Sequence, residues 1–313
     1  MENMSESHES WVVLINPMAG NQKGRDDWAR ISSLLDKYDI QYDHHFTEYS
    51  RHSVQMIQDF LGQGFRKFII AGGDGFLNEA VNAVFTQSVV DSTLVTLAMI
   101  PVGTGNDWVR THNIPFEYED AIKVIQKGKT MTHDVGRVFY HTNGLEKSWY
   151  FINICGIGFD AEVNKKVTAD RERGHLGPMK YQYHIFTTLM AYSPTKMKLI
   201  IDGTESTHEV FSMTLGNAQY NGGGMKQLPS AVPDDGIFDL SIIGKISRIK
   251  VMRSVNKLYD GSYVSLPEVS TYTGKSVEII SEPKCWVEAD GEALGESPFR
   301  FEMLARAINV IIP

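Results

Sequence analysis

The feature that most constrains the fold is a glycine-rich turn between a predicted strand and a predicted helix. Apolar residues occupy positions 68–71, and the sequence Gly72-Gly73-Asp74-Gly75-Phe76-Leu77-Asn78-Glu79 follows at once. Apolar residues then recur with helical spacing at Leu77, Ala80, Val81 and Val84. The carboxylate of Asp74 is therefore predicted to lie on a strand-to-helix turn.

This turn suits a phosphate group. Its three glycines leave backbone N–H groups open to close approach, and the N-terminus of the following helix adds partial positive charge. Asp74 would need a cation between its carboxylate and a phosphate, and Mg2+ commonly binds one or two carboxylates together with substrate phosphates. The turn points toward nucleotide triphosphate chemistry, although many glycine-rich turns after strands bind nothing.

Two further predicted strands end in turns with polar residues. Trp11–Ile15 is a continuous apolar run, typical of parallel strands covered on both faces, and it ends at Asn16. Residues 97–100 form another apolar run, which is closed by Pro101-Val102-Gly103-Thr104-Gly105-Asn106-Asp107-Trp108. Open α/β sheets bind ligands at the carboxyl ends of their strands, so we expect these turns to face one crevice.

Asn106 and Asp107 are suitable N-cap residues for a helical turn that begins near Trp108. Asp107 either serves only as a cap, or serves as a cap and contributes to the site. The sequence leaves both interpretations open.

The pattern changes near residue 133. Strands alternate with helical patterns before it, whereas strands separated by Gly, Asn and Asp turns follow it, including the hairpin signal Asp202-Gly203. We predict an α/β domain over residues 1–133 and a mainly antiparallel β domain over residues 134–313. Helical segments near 179–192 and 247–259 interrupt the second domain. The last strand, residues 307–312, could return to the first.

Composition limits the class of protein. The chain has 313 residues, of which 42% are hydrophobic and 22% charged, as in a globular protein, and its net charge of -8 argues against broad nucleic-acid binding. Cys155 and Cys285 are the only cysteines, and neither has zinc-ligand spacing to another Cys or His. Residues 1–10 are polar and no apolar run could span a bilayer. We expect a cytoplasmic protein, at most peripheral at the inner face of a membrane.

Seven motifs taken in order resemble one family, the diacylglycerol-kinase-type lipid kinases, which includes bacterial diacylglycerol/lipid kinases and sphingosine and ceramide kinases. The motifs are Asn16-Pro17-Met18-Ala19-Gly20, Gly72-Gly73-Asp74-Gly75 with Asn78-Glu79, Pro101-Val102-Gly103-Thr104-Gly105-Asn106-Asp107, Phe151-Ile152-Asn153, Gly158-Phe159-Asp160-Ala161, Asp235-Gly236 and Asp290-Gly291-Glu292. The resemblance implies a nucleotide-binding α/β domain, a β-sandwich lipid-substrate domain and an active site in the cleft between them. It also implies transfer of the γ-phosphate of ATP, with Mg2+, to a lipid hydroxyl of diacylglycerol or a sphingoid-type lipid.

The resemblance also implies site residues. Nucleotide contacts would fall on Asn16, Thr47, Gly72, Gly73, Asp74, Gly75, Phe76, Leu77, Asn78 and Thr104. Glu292 matches the family's base, with Asp74 orienting Mg-ATP, and these two roles could be exchanged. A structural magnesium would be bound by the Asp235 side chain and the main-chain oxygens of Val232 and Ile237. The alternative is that residues 234–236 are only a turn before a strand.

Two departures bear on the subgroup. Phe76 stands where many members have Thr, so a hydroxyl that could contact phosphate or metal is absent, and Ala19 replaces a frequent Ser. The chain also has no P-loop lysine. A non-catalytic nucleotide- or lipid-binding module therefore remains as an alternative. So does an NAD-kinase-like phosphotransferase, a relative that shares the Gly-Gly-Asp-Gly and Asn-Glu elements.

A basic segment in the second half suggests a membrane contact. Lys245, Arg248, Lys250, Arg253 and Lys257 lie within thirteen residues that contain no Asp or Glu, among the apolar residues Ile246, Ile249, Val251, Met252, Val255 and Leu258. Such a helix can lie on an anionic membrane interface. The alternative is an ordinary amphipathic helix whose apolar face packs on the β domain.

Overall fold

A computed structural model of the chain describes residues 9–172 and 178–313. Most of the polar N-terminal segment considered above, residues 1–8, lies outside the described residues. The chain divides into two compact units. One comprises the chain up to Val135 together with Ala305–Pro313, and the other comprises Gly136–Leu304.

Strands and helices alternate in the first part of the chain and strands dominate the second. The strands are β1 (Trp11–Ile15), β2 (Tyr42–Phe46), β3 (Lys67–Gly72), β4 (Thr96–Pro101), β5 (Thr130–Thr142), β6 (Leu145–Phe151), β7 (Ile154–Gly158), β8 (Thr195–Ile201), β9 (Thr204–Val210), β10 (Ser212–Gly216), β11 (Phe238–Ile243), β12 (Val269–Gly274), β13 (Ser276–Glu282), β14 (Trp286–Ala289) and β15 (Glu292–Ile311). The helices are α1 (Ala19–Asp26), α2 (Trp28–Lys37), α3 (His52–Gly62), α4 (Asp74–Thr86), α5 (Asp107–Thr111), α6 (Tyr118–Lys127), α7 (Phe159–Glu172), α8 (Pro178–Ala191) and α9 (Arg248–Asp260). Short 3-10 turns span Ser92–Leu94 and Ser262–Ser265.

The sheet of the first unit is parallel. Its strand order is β2, β1, β3, β4 and the end of β15. Residues 12–15, 68–71 and 97–100 are all buried, because both faces of these strands are covered. Val13 and Ile69, for example, belong to one apolar cluster with Ile31 of α2. Covering of both faces accounts for the continuous apolar runs in the sequence.

The second unit is built on antiparallel pairing. The strands β12, β11, β10, β7, β14 and β15 follow one another in space, and each of these pairs is antiparallel. Strand β13 pairs with β15 and β8, and β8 pairs with β9 through the predicted Asp202-Gly203 hairpin. Both turn residues have positive φ, as the tightest hairpin turns require. Phe151, Phe238 and Phe301 belong to the apolar core of this unit, and their rings contact one another.

No helix in the described part of the chain is long and apolar enough to cross a membrane.

Candidate active site

The carboxyl ends of the parallel strands bring several of the predicted site residues to one edge of the first sheet. Ile15 pairs with Phe46 on one side and with Ala71 on the other, so Asn16, Thr47 and Gly72 follow at the same level. The backbone N–H of Thr47 donates to Ile15 O over 2.9 Å, and that of Asn16 donates to Ala71 O over 3.2 Å. Strand register brings these residues together, as expected for turns at the carboxyl ends of neighbouring parallel strands.

The two glycine turns at this edge touch through their backbones. A Cβ atom at Gly103 would lie 2.4 Å from the Cα of Gly73, closer than real Cβ contacts allow. A Cβ atom at Gly75 would meet nothing within 4 Å, and Gly75 is exposed. The turn is therefore closed against its neighbour but open to a ligand at Gly75, which fits a phosphate-binding turn.

Asp74 caps the short helix α5. Its Oδ2 accepts a hydrogen bond from the backbone N–H of Asp107, and its Oδ1 accepts one from the N–H of Trp108, both over 3.0 Å. The expectation that Asn106 caps this helix with its own side chain is wrong. Asn106 has a left-handed backbone with φ 51° and makes no cap bond, and its amide group donates to Gly103 O over 2.7 Å. Each oxygen of Asp74 retains a second lone pair that could accept from a ligand or bind a cation.

Asp107 lies beside Asp74. The Cβ position of Gly105 is 3.2 Å from Asp74 Oδ2 and 3.6 Å from Asp107 Oδ2, so the two carboxylates flank this glycine. Asp107 is buried, and its Oδ1 lies 3.7 Å from Nε of Arg110. Both interpretations of Asp107 stay predictions, and its position beside Asp74 is compatible with a contribution to the site.

Four residues predicted to contact the nucleotide have buried side chains, namely Thr47, which is 8% exposed, and three residues of α4. Phe76 packs against Gly72, Leu77 is 1% exposed, and Asn78 is fully buried with its Oδ1 accepting from Asn82 Nδ2 over 3.1 Å. In this conformation their side chains stabilise α4 and its packing, so a role in nucleotide binding would fall to the backbone of the turn. Thr104, in contrast, is exposed.

The buried side chains of His112 and His133 pack against Trp108 of α5, and the sequence did not indicate this pair. Trp108 Nε1 donates to His133 Nε2 over 3.3 Å, and His133 Nε2 lies 3.2 Å from His112 Nε2. Burial lowers the pKa of His133 to about 4. Burial, with a smaller contribution from His133, also holds the pKa of His112 well below its usual value. These groups are neutral in the folded protein at pH 7 and anchor the helix that Asp74 caps.

Glu292, the predicted base, lies in the second unit. It follows the two-residue turn Asp290-Gly291, both members of which have positive φ, and it pairs with Ala289 as the first residue of β15. The carboxylate of Asp290 is buried and accepts hydrogen bonds of 2.9–3.1 Å from the N–H groups of residues 152–154. Asp290 therefore has a structural role that fixes the turn, and half-buried Glu292 projects from a firmly held hairpin.

The second unit contains a cavity of about 510 Å³ that the sequence did not predict. Its walls are mainly apolar side chains of the three helices α7, α8 and α9, such as Val163, Leu189 and Val255. Gly291, next to Glu292, is among the lining residues, as are the polar residues Asp160 and Glu288. A largely apolar cavity with a few polar groups at one end is typical of a ligand site.

Glu288 is the acidic residue of the cavity that sequence reasoning missed. It is 3% exposed, and its Oε2 accepts from the Gly291 N–H over 3.0 Å and from Asn164 Nδ2 over 3.3 Å. Burial, with smaller contributions from the charges of Asp160 and Asp290, raises the pKa of Glu288 to about 8. No local signal in the four residues of β14 shows that Glu288 is buried or that a cavity adjoins it.

The predicted metal ligands lie on an exposed loop before β11. Asp235 is exposed and its Oδ1 accepts from the Ile237 N–H over 3.1 Å, while Val232 is 43% exposed. One carboxylate oxygen and two main-chain carbonyls are hard oxygen donors, which fit Mg2+ or Ca2+ chemistry. The described residues contain no group of three His, Cys, Asp or Glu suited to a metal, so such a site would depend on these carbonyls. The assignment of Val232, Asp235 and Ile237 stays a prediction.

Comparison with known proteins assigns the family. Residues 10–138 match the diacylglycerol kinase catalytic domain, and residues 153–312 match the YegS C-terminal NAD kinase beta sandwich-like domain. A diacylglycerol kinase of Mycobacterium tuberculosis (strain CDC 1551 / Oshkosh) is 32% identical over 257 residues, which are 81% of this chain and 79% of the relative. The chain belongs to the diacylglycerol kinase family.

Another relative supports the same assignment, and a solved structure shares the fold. A diacylglycerol kinase of Bacillus subtilis (strain 168) is 28% identical over 306 residues, covering 96% of this chain and 95% of the relative. The crystal structure of a diacylglycerol kinase from Bacillus anthracis strain Sterne shares the fold, with a TM-score of 0.72 at 22% identity and 97% coverage of both chains. The predicted combination of an N-terminal α/β domain and a C-terminal β-sandwich domain is confirmed, and the family indicates a lipid kinase.

Proposed function

We propose that this protein is an ATP- and Mg2+-dependent kinase that transfers the γ-phosphate to a hydroxyl group of a lipid. The observation that carries the proposal is the apolar cavity in the second unit, whose polar end includes Gly291, the residue before Glu292. A cavity with apolar walls accommodates alkyl chains, and the adjacent carboxylate supplies a base where a lipid hydroxyl would emerge. Family membership supports the reaction type.

In this proposal the turn at residues 72–75 and the edge residues Asn16, Thr47 and Thr104 bind ATP. The open space at Gly75 and the free lone pairs of Asp74 are compatible with a phosphate group and a hard cation. Bound Mg2+ would supply neutralisation of the charge that develops on the transferring phosphoryl group. Asp74 would hold this cation while keeping α5 in place.

The chemical step then needs little beyond positioning and one proton transfer. Glu292 accepts the proton of the lipid hydroxyl while the hydroxyl oxygen forms the bond to the γ-phosphorus. The bond between the γ-phosphorus and the bridging oxygen breaks, and ADP leaves. General base catalysis of this kind contributes about 10²- to 10⁴-fold to the rate.

We further propose that α8 and α9 present the cavity to an anionic membrane surface. Phe186, Met252, Val255 and Tyr259 line the cavity and are 41–56% exposed, so the cavity reaches the surface along these helices. No residue of α9 is buried, which disfavours the alternative that its whole apolar face packs on the β strands. The exposed cations Lys245, Arg248, Arg253 and Lys257 would then meet anionic headgroups.

The test is phosphate transfer from γ-labelled ATP with purified protein, a mixed lipid extract and Mg2+. Labelled phosphate in the organic phase is expected. Label on added NAD with none in any lipid would instead favour the NAD-kinase-like alternative. NAD is included as an acceptor because the family matched by the second domain is described as NAD kinase beta sandwich-like. Label on neither acceptor, across a range of Mg2+ concentrations, would favour a binding module without turnover.

A further inference from the structure

The strand β2 is an open edge of the parallel sheet. In the part of the chain that the structure describes it pairs with β1 alone, and the register of that pair is unbroken. Asp43 and His44 are exposed. An edge strand offers a row of N–H and C=O groups to another strand, and natural proteins usually blunt such an edge with Lys, Pro or a bulge. The five residues of β2 include neither Lys nor Pro.

The backbone groups of β2 alternate between β1 and the open side. Trp11 N–H donates to Gln41 O and Thr47 N–H donates to Ile15 O, both over 2.9 Å. The odd-numbered residues of this stretch therefore face β1. The N–H and C=O groups of the three even-numbered residues of β2 point away from the sheet, where another strand could pair with them.

The two faces of β2 carry different side chains. Trp28 of α2 packs against His44 and Phe46, with ring centroids 4.9 and 5.9 Å apart, so one face is an aromatic row. His45 points to the other face, where its ring centroid lies 4.8 Å from that of Phe60 of α3. A helix thus covers each face of the strand, while its edge stays open.

The sequence of β2 is complementary to itself in the antiparallel direction. A two-fold axis through His44 places Tyr42 of one copy opposite Phe46 of the other, and Asp43 opposite His45. The first pair is aromatic, and in the second an imidazole N–H donates to a carboxylate. This register also pairs the outward-facing residues 42, 44 and 46 with one another, which gives about six backbone hydrogen bonds.

Another register and another open edge lack this complementarity. A two-fold axis through Asp43 would place two carboxylates directly opposite each other. Among the described strands β9 also has a single partner, β8, and an axis through Thr207 at the centre of β9 would oppose Glu205 to Glu209. Like charges directly opposite destabilise a strand pair. Charge and ring pairing therefore favour the axis through His44.

We propose that two copies of this chain associate through β2, antiparallel about a two-fold axis at His44, so that their two parallel sheets become one continuous sheet. The interface is isologous, because the same surface serves both copies. Helices α2 and α3 flank β2 on its two faces and meet their counterparts beside the strand pair. The association does not depend on the kinase reaction, so failure of either proposal leaves the other standing.

Sedimentation equilibrium of the full-length protein gives the first test. The expected mass is twice the 35.2 kDa of the chain. His44→Pro removes an outward N–H while leaving the hydrogen bonds to β1 in place, and it should weaken the dimer at least about tenfold. A monomer at every concentration would overturn the proposal, and so would a dimer of unchanged affinity in folded His44→Pro.

His44→Cys locates the axis. The Cα atoms of two residues opposite each other in a hydrogen-bonded antiparallel pair lie about 5.5 Å apart, within the range of a disulfide. Mild oxidation should therefore link two copies through position 44, whereas the native Cys155 and Cys285 are buried. His208→Cys, on the open edge strand β9, is the matched control and should stay unlinked. Equal linkage of both variants, or linkage of neither, would contradict an interface at β2.

A charge exchange tests the register. His45→Glu should weaken the dimer at least about tenfold, because its carboxylate would lie opposite that of Asp43 in the other copy. Adding Asp43→Lys should restore the affinity, since the opposed charges again differ in sign. Thermal melting shows whether each variant is folded, and if His44→Pro is not, the charge exchange and the cross-link decide. No recovery in the folded double variant would overturn the proposed pairing.

Discussion

The Oδ2 atom of Asp74 accepts a hydrogen bond of 3.0 Å from the backbone N–H of Asp107. Its other oxygen serves the next N–H in the same way, so one carboxylate satisfies two of the N–H groups that every helix leaves without a partner at its N-terminus. The residue predicted to orient Mg-ATP thus also fixes the loop that carries Thr104. Substitutions at Asp74 will therefore change both stability and activity.

Asp74→Asn should lose stability as well as turnover. Asparagine offers one oxygen, so its NH2 group would face the second backbone N–H, and a buried donor left without a partner costs about 1–3 kcal/mol. Urea unfolding should show this loss, and the phosphate-transfer assay should show most turnover gone. Asp120→Asn, on the exposed surface of α6, is the control. Unchanged stability would contradict the capping role, and unchanged turnover would remove Asp74 from the site.

Glu292→Gln should separate the two effects. Loss of the proposed base should lower kcat by about 10²- to 10⁴-fold. The free energy of unfolding should change little, because Glu292 is half-buried at the beginning of a strand and the turn is held by Asp290. Glu296→Gln, further along β15, is the control. Turnover near that of the unmodified protein would assign the base role elsewhere, with Asp74 as the next candidate.

Asp235→Asn tests the metal site without breaking its loop. Asparagine can still accept the hydrogen bond from Ile237 N–H, whereas Asp235→Ala removes both that bond and the charge. Without nucleotide, Mg2+ should raise the melting temperature of the unmodified protein, because a ligand bound only to the folded state stabilises it. Both variants should lose this response, while Asp234→Asn keeps it. A normal Mg2+ response in Asp235→Asn would show that no cation is held there.

The membrane prediction has to account for the partners of α9. Lys250 Nζ lies 2.6 Å from Glu268 Oε1, so reversing the charge of Lys250 would also disturb a surface ion pair. The double variant Arg253→Glu with Lys257→Glu leaves that ion pair in place. It reverses the charge of two cations, each of which contributes about 1 kcal/mol near an anionic surface.

The fraction of protein that sediments with phosphatidylserine vesicles should be at least about tenfold lower for this double variant. For the unmodified protein this fraction should fall steeply as salt is added. Turnover on detergent-dispersed lipid should persist. Lys147→Glu with Lys275→Glu, both exposed in the same unit, makes the same change in net charge. Equal loss in both double variants would point to net charge alone, and no loss in either would leave α9 as a structural helix.

Acid should destabilise the protein through the buried imidazole pair. His133 has a folded-state pKa of about 4, below the ordinary value of 6.5, so the unfolded chain binds more protons between these values. The stability that His133 contributes should be full above about pH 6.5 and about 2 kcal/mol smaller at pH 5, whereas Glu288, whose pKa is raised to about 8, contributes in the opposite sense over this range. Urea unfolding from pH 7.5 to 5 in the unmodified protein and in His112→Gln isolates the imidazole contribution. The variant should lose less stability on acidification than the unmodified protein, and an identical pH dependence would show that His112 does not titrate in this range.

The sequence by itself determined the local features. Continuous apolar runs and glycine turns gave the parallel strands of the first unit, and Asp202-Gly203 gave the hairpin between β8 and β9. These features depend on backbone preferences and on burial patterns that repeat every two or about four residues. They are therefore visible in a short stretch of chain.

Only the tertiary structure decided what each carboxylate does. Asp74 caps a helix that begins 33 residues later, and Glu288 accepts from Asn164, 124 residues away. Asp290 and Glu292 look alike in the sequence, yet one is buried under three backbone N–H groups and the other is half-buried. Desolvation and hydrogen-bond partners set the role of an acidic residue, and both come from distant elements that packing brings together.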